Sequence, residues 1–232
     1  MPRTQTIRTE DDDRMRRANK DRVRRALSWL KKSRKAHSDV ERFLYLWISF
    51  NAAYGHTTEN GRSDTENGDG SCEANMQRNF LLKICNQDGR KRLHEVVRDK
   101  ECVKAIHDVM NNKFIYEGYW TCVRAQKAVF DSRERFRDEN KSVKRHTTPG
   151  LLSPRDALPI VFQRLYTLRN QIVHGGVTAR NGWGRKQLRA GSRAMEKVIP
   201  VVLKIMKTHI DKDPPSNAWG DLRYPRHEPP LE

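Results

Sequence analysis

The sequence predicts an all-α protein, and three observations carry that prediction. Apolar residues recur at spacings of three and four in several segments, the period of a one-faced helix. No segment alternates apolar and polar residues as a half-buried strand would. Helix start and stop residues bracket the clearest periodic segment: Ser153 and Pro154 form an N-cap and first-turn proline, Asp156 adds favourable charge, and Gly175 and Gly176 end it. Between those signals Leu158, Val161, Leu165, Leu168 and Ile172 mark one core-facing stripe on a helix of about six turns.

The other elements follow in chain order. Residues 1–13, with Asp11 to Asp13 and no apolar run, are predicted disordered. A basic helix follows from about Arg14 to Ala36, with Val23, Leu27 and Leu30 at helical spacing. Residues 14–35 hold eleven Lys or Arg and only Asp21 as an acid, so its polar face is expected to be almost entirely cationic. Asp39 to Tyr54 is apolar nearly all round and is predicted to be the central buried helix. Asn51 is its polar exception; a buried amide there would either tie the helix to a neighbour or support a site.

Residues 55–72 are polar and Gly-rich with nothing to bury, which predicts a mobile loop. Helical patterns resume at Glu73 to Asn86 and continue in shorter pieces to about Met110. One long charged helix is expected from Tyr116 to Lys144, with Trp120, Val123, Ala128, Val129 and Phe136 as its apolar contacts. His146 to Gly150 links to the periodic helix described above. A last helix from about Arg185 to Ile210 carries Met195, Val198, Val202 and Ile205, with Pro200 suggesting a kink or break. Residues 211–232, with five prolines, read as a tail, leaving 14–210 as one helical domain.

Composition narrows the partner. Forty-six Lys and Arg against 29 acids give a net charge of +17, which points to a polyanion, most simply nucleic acid. Cys72, Cys85, Cys102 and Cys122 show neither paired spacing nor a matching His pattern, so they read as free thiols in a reducing compartment, with no metal and no cofactor. The longest apolar stretch, Phe43 to Tyr54, is too short for a bilayer, and the start of the chain lacks a signal-peptide profile. A cytoplasmic protein with no membrane partner is expected.

The chemistry concentrates in RNQIVHGG, Arg169 to Gly176. At roughly 100° per residue Asn170 and His174 fall together on the face away from the apolar stripe, with Arg169 on its flank. An imidazole can move the proton of a ribose 2′-hydroxyl, and a guanidinium can hold charge building on phosphorus. Within one straight helix Arg169 and His174 stand roughly 140° apart, too far to converge on one phosphate, so a second copy of the motif would complete the set.

Arg, Asn, three residues and His closing a long helix resembles the motif of the HEPN superfamily. ERFLYLWISFNAAYG, Glu41 to Gly55, with Trp47, Asn51 and Tyr54, is similar to the helix that precedes the motif helix in many bacterial members. The resemblance spans roughly residues 15–210. It implies a bundle of four main helices with extra short ones, a homodimer with a composite site, and a metal-independent endoribonuclease, often a toxin or defence effector. Arg169 and His174 would then be catalytic, Asn170 would orient the histidine or phosphate, and Asn51 and Tyr54 would support them. Arg24, Arg25, Arg180, Arg185, Lys186 and Arg189 would contact the RNA backbone, with Trp183 stacking on a base; Trp29 and Trp120 suit core positions better. The alternative is a non-catalytic scaffold that binds RNA or a nucleotide, or one half of a toxin and antitoxin pair with an unidentified partner. Members modified by a partner nucleotidyltransferase carry a tyrosine two residues after the histidine, where this chain has Gly176.

Overall fold

The computed structural model describes residues 9–55, 71–127, 132–176, 184–210, 219–222 and 224–225. Among them the chain is an all-α bundle: α1 (Glu10–Ser33), α2 (Asp39–Tyr54), α3 (Ser71–Gln87), α4 (Arg92–Arg98), α5 (Lys100–Met110), α6 (Glu117–Arg124), α7 (Arg133–His146), α8 (Pro154–Val173) and α9 (Arg185–Ile210), with a 3-10 turn at Lys113–Ile115 and no β-strand.

Helix α1 begins earlier than the charge pattern suggests. Thr9 Oγ1 accepts the Asp12 amide at 3.2 Å, and Asp12 Oδ2 accepts the Thr9 amide at 3.1 Å. This capping box makes Glu10 to Asp13 a favourable acidic first turn, so residues 10–13 are helical rather than disordered. Residues 1–8 lie outside the described residues. Val23 and Leu30 are buried, but Leu27 is 46% exposed and takes no part in the core.

Nor is the basic face of α1 wholly cationic surface. Arg22 is fully buried. Its Nη1 donates to the carbonyls of Ala53 (3.3 Å) and Gly55 (2.6 Å), and its Nη2 to that of Gly220 (2.8 Å). A guanidinium therefore closes the C-terminal end of α2, where unsatisfied carbonyls favour positive charge. Burial pushes its pKa down to about 10, partly opposed by Asp221. Close packing of α1 on α2 runs through small groups, with Ser49 Oγ donating to the Ala26 carbonyl at 2.7 Å.

The same clamp ties part of the segment read as a tail, residues 211–232, to the bundle. Trp219 is 3% exposed and donates its indole N–H to Gln87 Oε1 at 3.2 Å, while Arg25 Nη1 donates to the Tyr224 carbonyl at 2.5 Å. Residues 211–218 lie outside the described residues. Similarly, of the segment read as a mobile loop, Gly55 closes α2 and Ser71 and Cys72 open α3, while residues 56–70 lie outside the described residues.

The single helix expected from Tyr116 to Lys144 is two. Helix α6 stops at Arg124 because Gln126 takes φ +53°, with the Gln126 amide bonded to the Val123 carbonyl (3.2 Å) and the Lys127 amide to that of Cys122 (2.9 Å). That is a Schellman stop without glycine, so no residue type announced it. Val123 is 43% exposed, Phe136 is half-buried, and Ala128 and Val129 lie outside the described residues.

Two helices share the centre. Helix α2 buries Phe43, Leu46, Trp47 and Phe50 as expected, and α8 is buried just as broadly, from Ala157 to Leu168. An aromatic spine joins them to α3: Phe50 lies 4.4 Å from Phe162, 5.9 Å from Phe80 and 4.9 Å from Tyr54, and Trp47 lies 6.0 Å from Tyr166. Helix α9 runs unbroken through Pro200, with Met195, Val198, Val202 and Ile205 in the core. Gly191 lets it approach closely, since a Cβ there would come within 2.9 Å of Leu165 Cδ2 and 3.0 Å of Phe43 Cε2.

Arg22→Met would leave three carbonyls without their charged donor in a buried place. We expect urea denaturation to show a loss of about 3 kcal/mol, against near-neutral effect for the same change at exposed Arg24.

Candidate active site

The motif sits where α8 leaves the core. Leu158, Val161, Leu165 and Leu168 are each at most 1% exposed and Ile172 packs against the core, as the stripe predicts. One turn later Val173 is 55% exposed and His174 is exposed. The helix closes by a Schellman turn: His174 is the C-cap, Gly175 takes φ +74°, and the Gly176 amide bonds the Gln171 carbonyl at 2.6 Å while the Gly175 amide bonds that of Ile172 at 3.2 Å. Glycine is needed at Gly175 because an L side chain resists that φ. Gln171 Nε2 also donates to the Phe114 carbonyl at 2.5 Å, tying the last turn to the 3-10 segment.

Arg169 and Asn170 are half-buried, and Arg169 Nη1 donates to Asn170 Oδ1 at 2.9 Å. The Arg169 guanidinium lies 6.0 Å from the centre of the Tyr166 ring. Tyr166 donates its hydroxyl to Glu73 Oε2 (3.3 Å), and Tyr54, from α2, donates to Glu73 Oε1 (3.0 Å). Glu73 thus joins α2, α3 and α8, and reaches the motif arginine through the Tyr166 ring. Burial and then the Glu73 carboxylate hold the Tyr54 phenol well above its ordinary value; the same two causes raise Tyr166, with Asn170 and Arg169 acting in the opposite direction.

Of the residues expected at the site, the structure brings together Arg169, Asn170 and Tyr54, the last through Glu73 and Tyr166. His174 follows on the outer face, its amide bonded to the Asn170 carbonyl at 2.9 Å. Asn51 is a correction: it is exposed rather than buried. The buried face of α2 runs through Phe43, Leu46, Trp47, Phe50 and Tyr54, and Asn51 lies off it. Glu73 and Tyr166 were missed. Tyr166 carried a signal, standing three and four residues before Arg169 and Asn170 on the same helix; Glu73 arrives from a separate helix and carried none.

The expected basic contacts differ in what they are free to do. Arg185 and Lys186 are exposed at the start of α9. Arg24 is exposed but pairs with Asp21 at 3.2 Å, Arg189 donates to Asp39 Oδ2 at 2.9 Å, and Arg25 is held by Tyr224. Arg180 and Trp183 lie outside the described residues. Trp29 is half-buried with its ring 5.7 Å from Tyr45, and Trp120 donates its N–H to the Phe114 carbonyl at 2.7 Å, both structural placements.

Cys85, Cys102 and Cys122 are free thiols, with burial pushing Cys102 up to about 12 and Cys85 up to about 11. Among the described residues no three His, Cys, Asp or Glu side chains converge as metal ligands, and no helix is long and apolar enough to cross a membrane. Comparison with family models, curated proteins and solved structures returned no match to this chain.

The paired phenols give a pH dependence. Their folded pKa values are raised above the unfolded ones, so the stability they contribute is full below about pH 10 and is lost as pH rises through the raised values. Phenolate absorbance of the wild type should contain a component from Tyr54 and Tyr166 that ionises above the ordinary range, and Glu73→Gln should bring that component down. A titration unchanged by Glu73→Gln would mean that the carboxylate does not act on the phenols.

Proposed function

We propose that this chain is a HEPN-type, metal-independent endoribonuclease that works as a homodimer. The observation that carries the reading is the emergence of His174, exposed at the capped end of α8, beside an Arg169 and Asn170 pair backed by the Tyr166, Glu73 and Tyr54 network. A net charge of +17, with Arg185 and Lys186 exposed at the start of the next helix, suits an RNA substrate held by its backbone.

In this mechanism one His174 removes the proton of a ribose 2′-hydroxyl. The 2′-oxygen attacks the adjacent phosphorus, the bond from phosphorus to the 5′-oxygen breaks, and that oxygen leaves with a proton from the partner subunit's His174. The products are a 2′,3′-cyclic phosphate and a 5′-hydroxyl. Arg169 neutralises the phosphorane, a role commonly worth about 3 kcal/mol. Asn170 holds Arg169 in place through its Oδ1. Two subunits are required because Arg169 and His174 diverge by roughly 140° around one helix. A toxin or defence effector acting in the cytoplasm is the setting this chemistry fits.

One observation favours a second reading. Arg169 is already engaged by Asn170 and by the Tyr166 face, as a structural arginine would be. On that reading the protein is a non-catalytic HEPN scaffold that binds RNA or a nucleotide, or the partner of an antitoxin.

Incubation with labelled RNA separates the two. The wild type should cleave it, and His174→Ala should lower the rate by about 10²–10⁴-fold with RNA affinity nearly unchanged. A deoxyribose at the scissile nucleotide should block cutting. Binding without cleavage by the wild type would select the scaffold, and efficient cleavage by His174→Ala would remove the histidine from the mechanism.

A further inference from the structure

A cavity of about 660 Å³ opens between α3, α6, α7 and α8, away from His174. That volume lies within the roughly 300–1,000 Å³ of small-molecule sites. One wall is apolar, formed by Tyr116, Pro159 and Ile160. Another holds Arg164, which is 1% exposed.

Arg164 is incompletely served by the protein. Its Nη2 donates to Glu139 Oε2 at 2.9 Å. The Tyr116 and Phe136 rings lie 4.1 and 4.8 Å from its central carbon and interact with the cation. Ring faces cannot accept the in-plane hydrogens, and Nε and Nη1 find no acceptor among the described residues. Leaving buried charged donors unmet costs about 1–3 kcal/mol or more each, so an acceptor is strongly favoured there.

The local charge is unbalanced in the same sense. Glu139 is shared, accepting also from Arg135 Nε at 3.2 Å. Glu117, the other acid on the wall, is taken by Arg124. Arg78 adds a third guanidinium at the rim. Burial lowers the Arg164 pKa to about 10, which still leaves the side chain charged at neutral pH.

We propose that this cavity binds a small organic anion, with its phosphate or carboxylate group received by Arg164 and its apolar body lying against Tyr116 and Ile160. Nε and Nη1 are closed to solvent as the side chain stands, so an oxyanion meets them as Arg164 turns toward the cavity it lines, and it offsets the excess positive charge, neither of which Glu139 can do alone. The site stands independently of the nuclease reading, since none of Arg169, Asn170 or His174 lines it.

The test uses the full chain with phenyl phosphate and benzoate as probes, against sodium chloride at matched ionic strength, read by isothermal titration and by the thermal midpoint. At least one probe should bind and raise the midpoint, and which one does identifies the anion as phosphate or carboxylate. Arg164→Lys should weaken binding by about tenfold or more, because a point charge on a flexible stem replaces the planar donor set. Thr121→Trp fills the rim from an exposed position and should abolish binding while keeping the fold, so it decides the matter if Arg164→Lys fails to fold. Absence of binding by both probes, or binding that survives Thr121→Trp, would overturn the assignment.

Discussion

Burial of α8 along most of its length is the constraint on which the rest depends. Between Ala157 and Leu168 its buried side chains pack chiefly on α3, α7 and α5, with α2 and α9 also in contact, and beyond Leu168 the last turn passes out to solvent. The motif groups therefore stand where this helix leaves the core. The aromatic spine of Trp47, Phe50, Phe162 and Tyr166 fixes the azimuth of the helix, and Gly191 sets how closely α9 can approach it. With the buried part immobilised, the Schellman turn at Gly175 determines where His174 stands.

Charge in this protein is not all surface charge. Arg22 and Arg164 are both buried, and each works as a donor to oxygen rather than as a solubilising group. Arg22 closes α2 and clamps residue 220, so its partners are backbone carbonyls that belong to the fold. Arg164 has a single carboxylate and two ring faces, which is why it points to a ligand where Arg22 does not. Of the basic residues expected to meet a polyanion, Arg185 and Lys186 stand exposed, while Arg24, Arg25 and Arg189 are engaged within the fold.

The parts of the fold legible in the sequence were those written in local residue types. The frame of α8 was explicit: proline at its first turn, a stripe at three and four, and glycine where a left-handed residue was needed. Where the same geometry used another residue, it was invisible: Gln126 ends α6 as Gly175 ends α8, and the expected long helix splits there. The acidic run at Asp11 to Asp13 reads as disorder until Thr9 is seen to cap it. Long-range partners left no trace in the pattern, so Glu73 under the motif, Trp219 in the core and Gly220 on Arg22 all went unread. Asn51 misled for the converse reason, since a polar residue in an apolar helix can lie on its exposed face.

The central claim is that one functional site needs Arg169 and His174 from different subunits. Mixing Arg169→Ala and His174→Ala proteins after mild unfolding and refolding makes heterodimers that keep one intact arginine and one intact histidine, on opposite chains. The account predicts that the mixture recovers a small part of the RNA cleavage that both homodimers lack, below the wild-type rate because one histidine remains and water must take the place of the other in proton transfer. A mixture as inactive as either variant alone, with heterodimers present by mass, would contradict it.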